Sequence, residues 1–166
     1  MNIILTGMPA SGKSTVGVIL AKVLGCDFVD TDLLIQRREK ACLKDIIRAK
    51  GNDAFLDIEA DVCKSLQTEN TVIATGGSVI YRDEAMRHLK SLGVIVYLKV
   101  GTDALKSRLH DMKERGVALK EGQSLEDLIE ERSCLYERYA DITLDESDLG
   151  LAETVQLVRS SIMQLC

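Results

Sequence analysis

The sequence is poor in the residues that metal-binding, secreted or membrane proteins depend on. It contains one proline, no tryptophan and two histidines in 166 residues. Its five cysteines are scattered and form no C-x-x-C pair, so we expect no zinc site. Isolated cysteines of this kind usually pack as small core residues in a reducing compartment. This cysteine usage predicts a cytoplasmic protein.

Long runs of apolar residues and long runs of like charges are also missing. Nowhere do about 18 apolar residues follow one another, and the N-terminus lacks a charged segment before an apolar one, so neither a membrane helix nor a signal peptide is expected. The formal charge is −5 and no block of like charges is present. We therefore expect no membrane and no nucleic-acid partner. We also expect a monomer. A small anion is still possible, because a few local cations and a helix N-terminus suffice to bind it.

What the chain does have is a regular alternation of short β-rich runs and longer helical patterns. Strands separated by helices predict βαβ units and a parallel sheet covered on both faces. With no repeat and no Ser/Pro-rich linker, residues 1–166 should form a single α/β domain. The predicted strands are residues 2–6, 27–30, 70–74, 94–100 and 141–144.

The most specific motif follows the first predicted strand. Residues 7–14 read Gly-Met-Pro-Ala-Ser-Gly-Lys-Ser and match G-x-x-x-x-G-K-[ST], the phosphate-binding P-loop. A predicted strand precedes the motif and a helical pattern follows it, which is the context that the motif requires. Glycines let backbone N–H groups surround phosphates, the lysine reaches the β- and γ-phosphates, and the final serine is a Mg²⁺ ligand. The predicted ATP-binding residues are Gly7, Ala10, Ser11, Gly12, Lys13, Ser14 and Thr15.

Two acidic residues follow the second predicted strand, at the edge where parallel sheets bind ligands. Asp30 is a candidate Mg²⁺ ligand beside Ser14, because Mg²⁺ takes one or two carboxylates and keeps several waters. Asp32 is a candidate to orient the acceptor hydroxyl or take its proton. The alternative is that Asp32 caps a helix beginning at Leu33, a role compatible with function.

The third strand ends in Thr75-Gly76-Gly77-Ser78. Gly76 and Gly77 would let the backbone approach a substrate, and a plain turn is the alternative reading.

Three arginines are further candidates. Arg115 lies in the polar stretch 111–124, which is either an ordinary surface loop or a lid that closes over nucleotide. Arg108 ends the preceding helix and could face the adenine or the phosphates. Arg132 lies in a later helical pattern. For each arginine, the alternative is a solvated or salt-bridged surface residue.

In these pieces and their order, the chain resembles the shikimate kinase family. The matching segments are residues 7–15, 29–32, 51–59, 75–79, 96–98 and 132–142.

The resemblance implies an ATP- and Mg²⁺-dependent kinase that phosphorylates shikimate in aromatic amino-acid biosynthesis. The implied fold has five parallel strands in the order 2-3-1-4-5, with a substrate-binding helical region at about 31–62 and a lid at about 111–124. Lys13, Asp32 and Arg115 would be catalytic, with Arg115 as the lid arginine that contacts the nucleotide. Apart from the resemblance, the position of Arg108 leads us to expect that it contacts the nucleotide as well. Gly76, Gly77 and Arg132 would join Asp32 in binding substrate, with Arg132 on its carboxylate.

The chain departs from the family pattern at three points. Leu56 stands where the family has a carboxylate-binding arginine, the glycine motif after the third strand is one residue short, and Gly116 replaces a proline. Two alternatives therefore stay open. One is a related P-loop kinase for another small alcohol, a sugar acid or a nucleoside monophosphate. The other is a nucleotide-dependent switch without a metabolite substrate.

Overall fold

A computed structural model describes residues 1–108 and 122–165. Across these residues the chain forms one parallel sheet in the order β2-β3-β1-β4-β5, so the expected order 2-3-1-4-5 is confirmed. The strands are short and rich in Val, Ile and Leu, as strands buried on both faces are. Their bounds are Asn2–Thr6 (β1), Asp27–Asp30 (β2), Thr71–Ala74 (β3), Gly93–Lys99 (β4) and Ile142–Asp145 (β5).

Helices connect the strands. A 3₁₀ turn at Val79–Tyr81, which the sequence pattern does not predict, precedes α5. No described helix has both the length and the apolar character needed to cross a lipid bilayer. The helices are Lys13–Leu24 (α1), Thr31–Glu39 (α2), Leu43–Lys50 (α3), Asn52–Lys64 (α4), Asp83–Leu92 (α5), Thr102–Arg108 (α6), Leu125–Tyr139 (α7) and Leu151–Met163 (α8).

The core lies on both faces of the sheet, because successive side chains of a strand point to opposite faces. On β1, Ile3 and Leu5 pack with α1 and α8, whereas Ile4 packs with α5 and α7. A smaller apolar cluster joins α2, α3 and α4 through Ile35, Ile46, Phe55 and Val62. These three helices lie between β2 and β3 in the sequence. They make up most of the region at about 31–62 that is expected to bind substrate.

The beginning of α2 differs from the prediction. The helix starts at Thr31 rather than Leu33, and Asp30, not Asp32, is its N-cap. The Asp30 side chain accepts a hydrogen bond from the Asp32 backbone N–H at 2.9 Å. Either aspartate suits an N-cap by residue type. The extended backbone of Asp30, which belongs to the end of β2, decides between them.

The predicted lid lies almost wholly outside the described residues. Of the stretch 111–124, the structure describes only 122–124, and Arg115 falls in the part that it does not describe. At the end of this stretch, Ser124 and Asp127 form a reciprocal capping box that begins α7.

Candidate active site

A cavity of about 590 Å³ opens at the carboxyl edge of the sheet, within the usual size range of small-molecule sites. Parallel strands end at the same edge, so residues that follow β1, β2 and β3 meet there although they are distant in sequence. Three predicted residues, Gly7, Ser11 and Asp30, do not line this cavity. Ten predicted residues line it: Ala10, Gly12, Lys13, Ser14, Thr15, Asp32, Gly76, Gly77, Arg108 and Arg132.

The P-loop wraps around the side chain of Lys13. The ammonium donates to the carbonyl oxygens of Gly7 (2.9 Å) and Met8 (2.8 Å) and lies 3.4 Å from Ser11 Oγ. Only 7% of Lys13 is exposed. Burial lowers the pKa of Lys13 to about 8, while the nearby Asp32 carboxylate acts in the opposite direction. The loop therefore holds one cation at its centre.

The loop backbone requires glycine at its first position. Gly7 has φ +149°, and a Cβ there would come within 2.7 Å of the Leu98 carbonyl oxygen. Gly12, at φ 84°, turns the chain into α1, and no described side chain caps that helix. The first N–H groups of α1 thus face the cavity mouth together with the positive end of the helix dipole. This donor set fits the phosphates of a nucleotide.

Two aspartates at the end of β2 have different surroundings. Asp32 lies on the cavity wall, and burial raises its pKa to about 6, as does neighbouring Asp30, while Lys13 opposes the shift. At neutral pH Asp32 is thus mainly ionised and able to accept a proton near that pH. Asp30 does not line the cavity and caps α2. Ser14, exposed on the wall, and these carboxylates supply the number of protein oxygens that Mg²⁺ usually takes.

Glu59 is a site residue that the motif analysis passed over. It is fully buried on α4 and lines the cavity. Ser78 Oγ donates to its Oε2 at 2.6 Å, but Oε1 has no hydrogen-bond partner among the described residues. Burial raises the pKa of Glu59 to about 7, against the effect of the Ser78 hydrogen bond. Glu59 ends the matching segment 51–59, and the signal that could have found it is its spacing of four residues from Phe55, which places both on the buried face of α4, whereas Asp53 and Asp57 are exposed.

Gly76 and Gly77, which follow β3, let neighbouring side chains approach the backbone closely on both of its sides. A Cβ on Gly76 would collide with Glu59 Oε1 and would lie 2.8 Å from Asp32 Oδ1. A Cβ on Gly77 would lie 2.8 Å from Pro9 Cδ and 3.3 Å from Arg132 Nη1. The Thr31 hydroxyl accepts a hydrogen bond from Gly76 N–H at 3.1 Å, which joins the ends of β2 and β3. The structure thus rules out a loosely packed turn at this position.

Arg132 is buried, with 6% of its surface exposed, so the surface alternative for this arginine is wrong. Its Nη1 donates to the Gly77 carbonyl oxygen (3.4 Å) and its Nε to Tyr81 Oη (3.3 Å). The guanidinium carbon also lies 5.3 Å from the centre of the Tyr81 ring. Among the described residues, no carboxylate oxygen lies within salt-bridge distance of Arg132. A buried guanidinium in this position is suited to an anionic ligand group.

A second cavity of about 320 Å³ adjoins the first, and Phe55, Ser78 and Arg132 line both. Leu56 lies on its wall together with Tyr81 and other residues of α3, α4 and α7. Within the described part of that wall, Arg132 supplies the positive charge. Leu56, at which the resemblance leads us to expect an arginine, gives this end of the site an apolar side chain.

Comparisons with known proteins agree with this geometry. The family model described as shikimate kinase matches residues 9–163. A shikimate kinase from Caldanaerobacter subterraneus is 34% identical over 99% of this chain and 97% of that protein. A shikimate kinase from Aquifex aeolicus is 37% identical over 86% of this chain and 84% of that protein.

Solved structures give the same result. Shikimate kinase from Acinetobacter baumannii, in complex with shikimate, has a TM-score of 0.90 at 33% identity, covering 98% of this chain and 93% of that chain. Shikimate kinase from Aquifex aeolicus has a TM-score of 0.86 at 34% identity, covering 98% and 96%. A gluconokinase from Sinorhizobium meliloti, at 20% identity and a TM-score of 0.56, shares the fold alone. From its family match and from relatives that it covers almost completely, the chain belongs to the shikimate kinase family.

Proposed function

We propose that this protein uses ATP and Mg²⁺ to phosphorylate shikimate, giving shikimate 3-phosphate in aromatic amino-acid biosynthesis. The observation that carries the proposal is the arrangement of three charged side chains on one cavity wall. Lys13 lies in the P-loop, Asp32 follows β2, and Arg132 reaches over from α7. A cation for phosphate, a carboxylate for a hydroxyl and a cation for a carboxylate are what this reaction needs.

The proposed roles follow from these positions. Lys13 and the N–H groups of the P-loop stabilise the charge spread over the transferring phosphoryl group. Bound at Ser14 and Asp30, Mg²⁺ would neutralise part of the same charge. Asp32 orients the acceptor hydroxyl and takes its proton.

The remaining residues bind the two substrates. Arg132 pairs with the substrate carboxylate, and Gly76 and Gly77 offer close backbone contact. Arg108 and Arg115 contact the nucleotide. The helical region at about 31–62 forms one side of the acceptor site. We further propose that residues 111–124 close over the site and exclude water, so that ATP is not hydrolysed.

We also propose that the chain acts in the cytoplasm as a single-domain monomer whose partners are its small substrates. The cysteines among the described residues (Cys26, Cys42, Cys63 and Cys134) are free thiols, the state that a reducing compartment maintains. Sedimentation of the purified protein with and without ligands tests the monomer.

A second acceptor is favoured by one observation, the apolar surface of Leu56 at the carboxylate end of the site. Losing one of two cations on a carboxylate weakens binding by roughly one to three decades. Another small alcohol that carries no carboxylate at that end, such as a polyol, would not suffer this loss.

A coupled ADP-release assay with Mg²⁺-ATP separates the candidates. We expect turnover with shikimate, and little or none with sugar acids, polyols or nucleoside monophosphates. The Lys13→Ala variant should lose transfer because the phosphoryl charge is no longer balanced, and Asp32→Asn should lose transfer but still bind nucleotide.

Each other result has a defined meaning. Turnover on another hydroxyl compound with none on shikimate would replace the acceptor but keep the kinase. An ATPase rate that is independent of every acceptor would instead support a switch. Full activity in folded Lys13→Ala would contradict the proposed phosphate site.

A further inference from the structure

Glu146 is a buried carboxylate to which the proposed mechanism gives no role. It directly follows β5 at the carboxyl edge of the sheet, and 3% of its surface is exposed. Its N–H donates to the Lys99 carbonyl oxygen at 2.9 Å, and its own carbonyl oxygen accepts from Leu149 N–H at 3.1 Å. The backbone of Glu146 is therefore fixed. A carboxylate buried to this degree must be paired with a cation or with hydrogen-bond donors.

The cation is Arg108, at the end of α6. Its Nη1 lies 3.4 Å from Glu146 Oε1 and 3.4 Å from the carbonyl oxygen of Ala10 in the P-loop. The Thr154 hydroxyl, on α8, donates its proton to the Gly150 carbonyl oxygen at 3.2 Å. Arg108 is thus held between a rigid carboxylate and the phosphate loop, and it lines the main cavity.

This arrangement matters because Arg108 is long and partly exposed. An unrestrained arginine side chain has many rotamers, and fixing it costs conformational entropy when a ligand binds. A partner that fixes it beforehand removes that cost from binding. Glu146 can fix the Arg108 side chain in this way because its own backbone is hydrogen-bonded to β4 and to the turn before α8. Its carboxylate contacts Arg108 but does not line the cavity, so it leaves room for the ligand.

We propose that Glu146 is a positioning residue of the nucleotide site, which holds the Arg108 guanidinium against the P-loop so that it meets bound nucleotide. This inference rests on the proposed ATP-dependent function. It adds to that function a residue on the opposite side of the P-loop from the acceptor site.

The test is a double-mutant cycle read by calorimetric binding of Mg²⁺-ADP to the purified protein. For Glu146→Gln we expect an increase in Kd of about 2- to 5-fold, the effect of losing one ion pair whose arginine is partly exposed. The increase for Arg108→Ala should be at least as large. The double variant should bind like Arg108→Ala alone, because Glu146 acts through that arginine.

A matched control is Glu137→Gln, which removes an exposed carboxylate paired with Lys99 at 2.9 Å, away from the cavity. It should leave the Kd for ADP unchanged. In the kinase assay, Glu146→Gln should raise the KM for ATP, with the acceptor KM unchanged and kcat within about twofold of wild type. Loss of packing alone would lower the melting temperature without this selective change in KM.

Several outcomes would overturn the proposal: wild-type ADP affinity in Glu146→Gln, tighter binding in that variant, or additive losses in the double variant. If Glu146→Gln does not fold, Glu146→Asp takes its place in the cycle, because it keeps the charge but withdraws it by one methylene. ADP binding requires no acceptor. Failure to phosphorylate shikimate would therefore overturn the proposed acceptor and leave this test intact.

Discussion

At the scale of single residues, the site is a small set of buried ionisable groups whose pKa values have moved toward neutrality. Burial lowers the pKa of Lys13 to about 8, and it raises the pKa of Asp32 to about 6 and that of Glu59 to about 7. Shifts of this kind are common at catalytic sites, where proton transfer near neutral pH is needed. Glu59 differs from the other two because one of its side-chain oxygens is fully buried and has no hydrogen-bond partner within the described residues.

The burial of the Glu59 carboxyl group leads to a prediction about stability and pH. The folded-state pKa of about 7 lies above the ordinary value of 4.5, so folding favours the protonated carboxyl. Its stabilising contribution is complete below about pH 4.5 and is lost as the pH rises through 7. We expect a loss of up to about 3 kcal/mol from this group over that interval. Glu59→Gln should lack that loss and unfold at higher urea than wild type at pH 8.

Urea unfolding of both proteins at pH 5 and pH 8 measures the effect. The exposed Glu84→Gln variant is the control, and its pH dependence should match wild type. Parallel pH dependence of wild type and Glu59→Gln would show that Glu59 titrates normally in the folded protein.

At the scale of elements, the helix N-termini of the site have different partners. Asp30 caps α2 and Ser124 caps α7, whereas no described side chain caps α1. An uncapped helix start next to a buried lysine leaves backbone donors for an anion, and a capped start does not. Since α3 and α4 also lack a side-chain cap, what makes α1 suited to phosphate is the position of its N-terminus on the cavity, beside the buried Lys13.

The cap of α2 can be separated from a metal role by two substitutions of Asp30. Asp30→Ala removes the acceptor for Asp32 N–H and should cost about 1 kcal/mol of folding free energy, whereas Asp30→Ser should restore most of it. If Asp30 also holds Mg²⁺, both variants should need more Mg²⁺ for half-maximal activity. Chemical unfolding and a Mg²⁺ titration of the kinase rate measure the two effects.

Equal stability of wild type and Asp30→Ala would contradict the capping role. A Mg²⁺ requirement like that of wild type in Asp30→Ser would instead remove Asp30 from the metal site. Asp27→Ala, at the opposite end of the same strand and exposed, is the control for both measurements.

At the scale of the whole molecule, the site joins segments that are far apart in the chain. The P-loop, the end of β2, the end of β3 and α7 meet at one edge, and hydrogen bonds from Arg132 and Tyr136 to the Gly77 carbonyl oxygen tie α7 to the turn after β3. A ligand that contacts several of these segments binds the folded chain and not the unfolded one. Its binding energy must then appear as added stability.

We therefore expect Mg²⁺-ADP at about 100 times its Kd to add about 2.7 kcal/mol to the free energy of unfolding. For a chain of this size, that raises the melting temperature by about 5–10 °C. Lys13→Ala should lose most of the increase because the phosphates lose their buried cation. Differential scanning calorimetry with a nucleotide titration is the measurement.

Lys22→Ala, an exposed lysine in the last turn of the same helix, should keep the full increase in melting temperature. An equal increase in Lys13→Ala would mean that the nucleotide binds away from the P-loop.

The sequence by itself determined the phosphate loop, the alternation of strands and helices, and the edge of the sheet at which the candidate residues gather. These features depend on consecutive residues. The P-loop is a short run between a strand and a helix, and each apolar run can be recognised without reference to the other segments. The family resemblance supplied the strand order, which no single segment contains.

Only the tertiary structure decided which of the candidate side chains are buried, and against what. Asp30 rather than Asp32 caps α2, Arg132 is enclosed instead of lying on the surface, and Glu59 lies under Gly76 with one oxygen that has no hydrogen-bond partner among residues 1–108 and 122–165. Each of these facts joins residues whose packing depends on where other helices and strands lie. Burial, and the pKa shift that follows from it, is a property of that packing and cannot be predicted from a local sequence pattern.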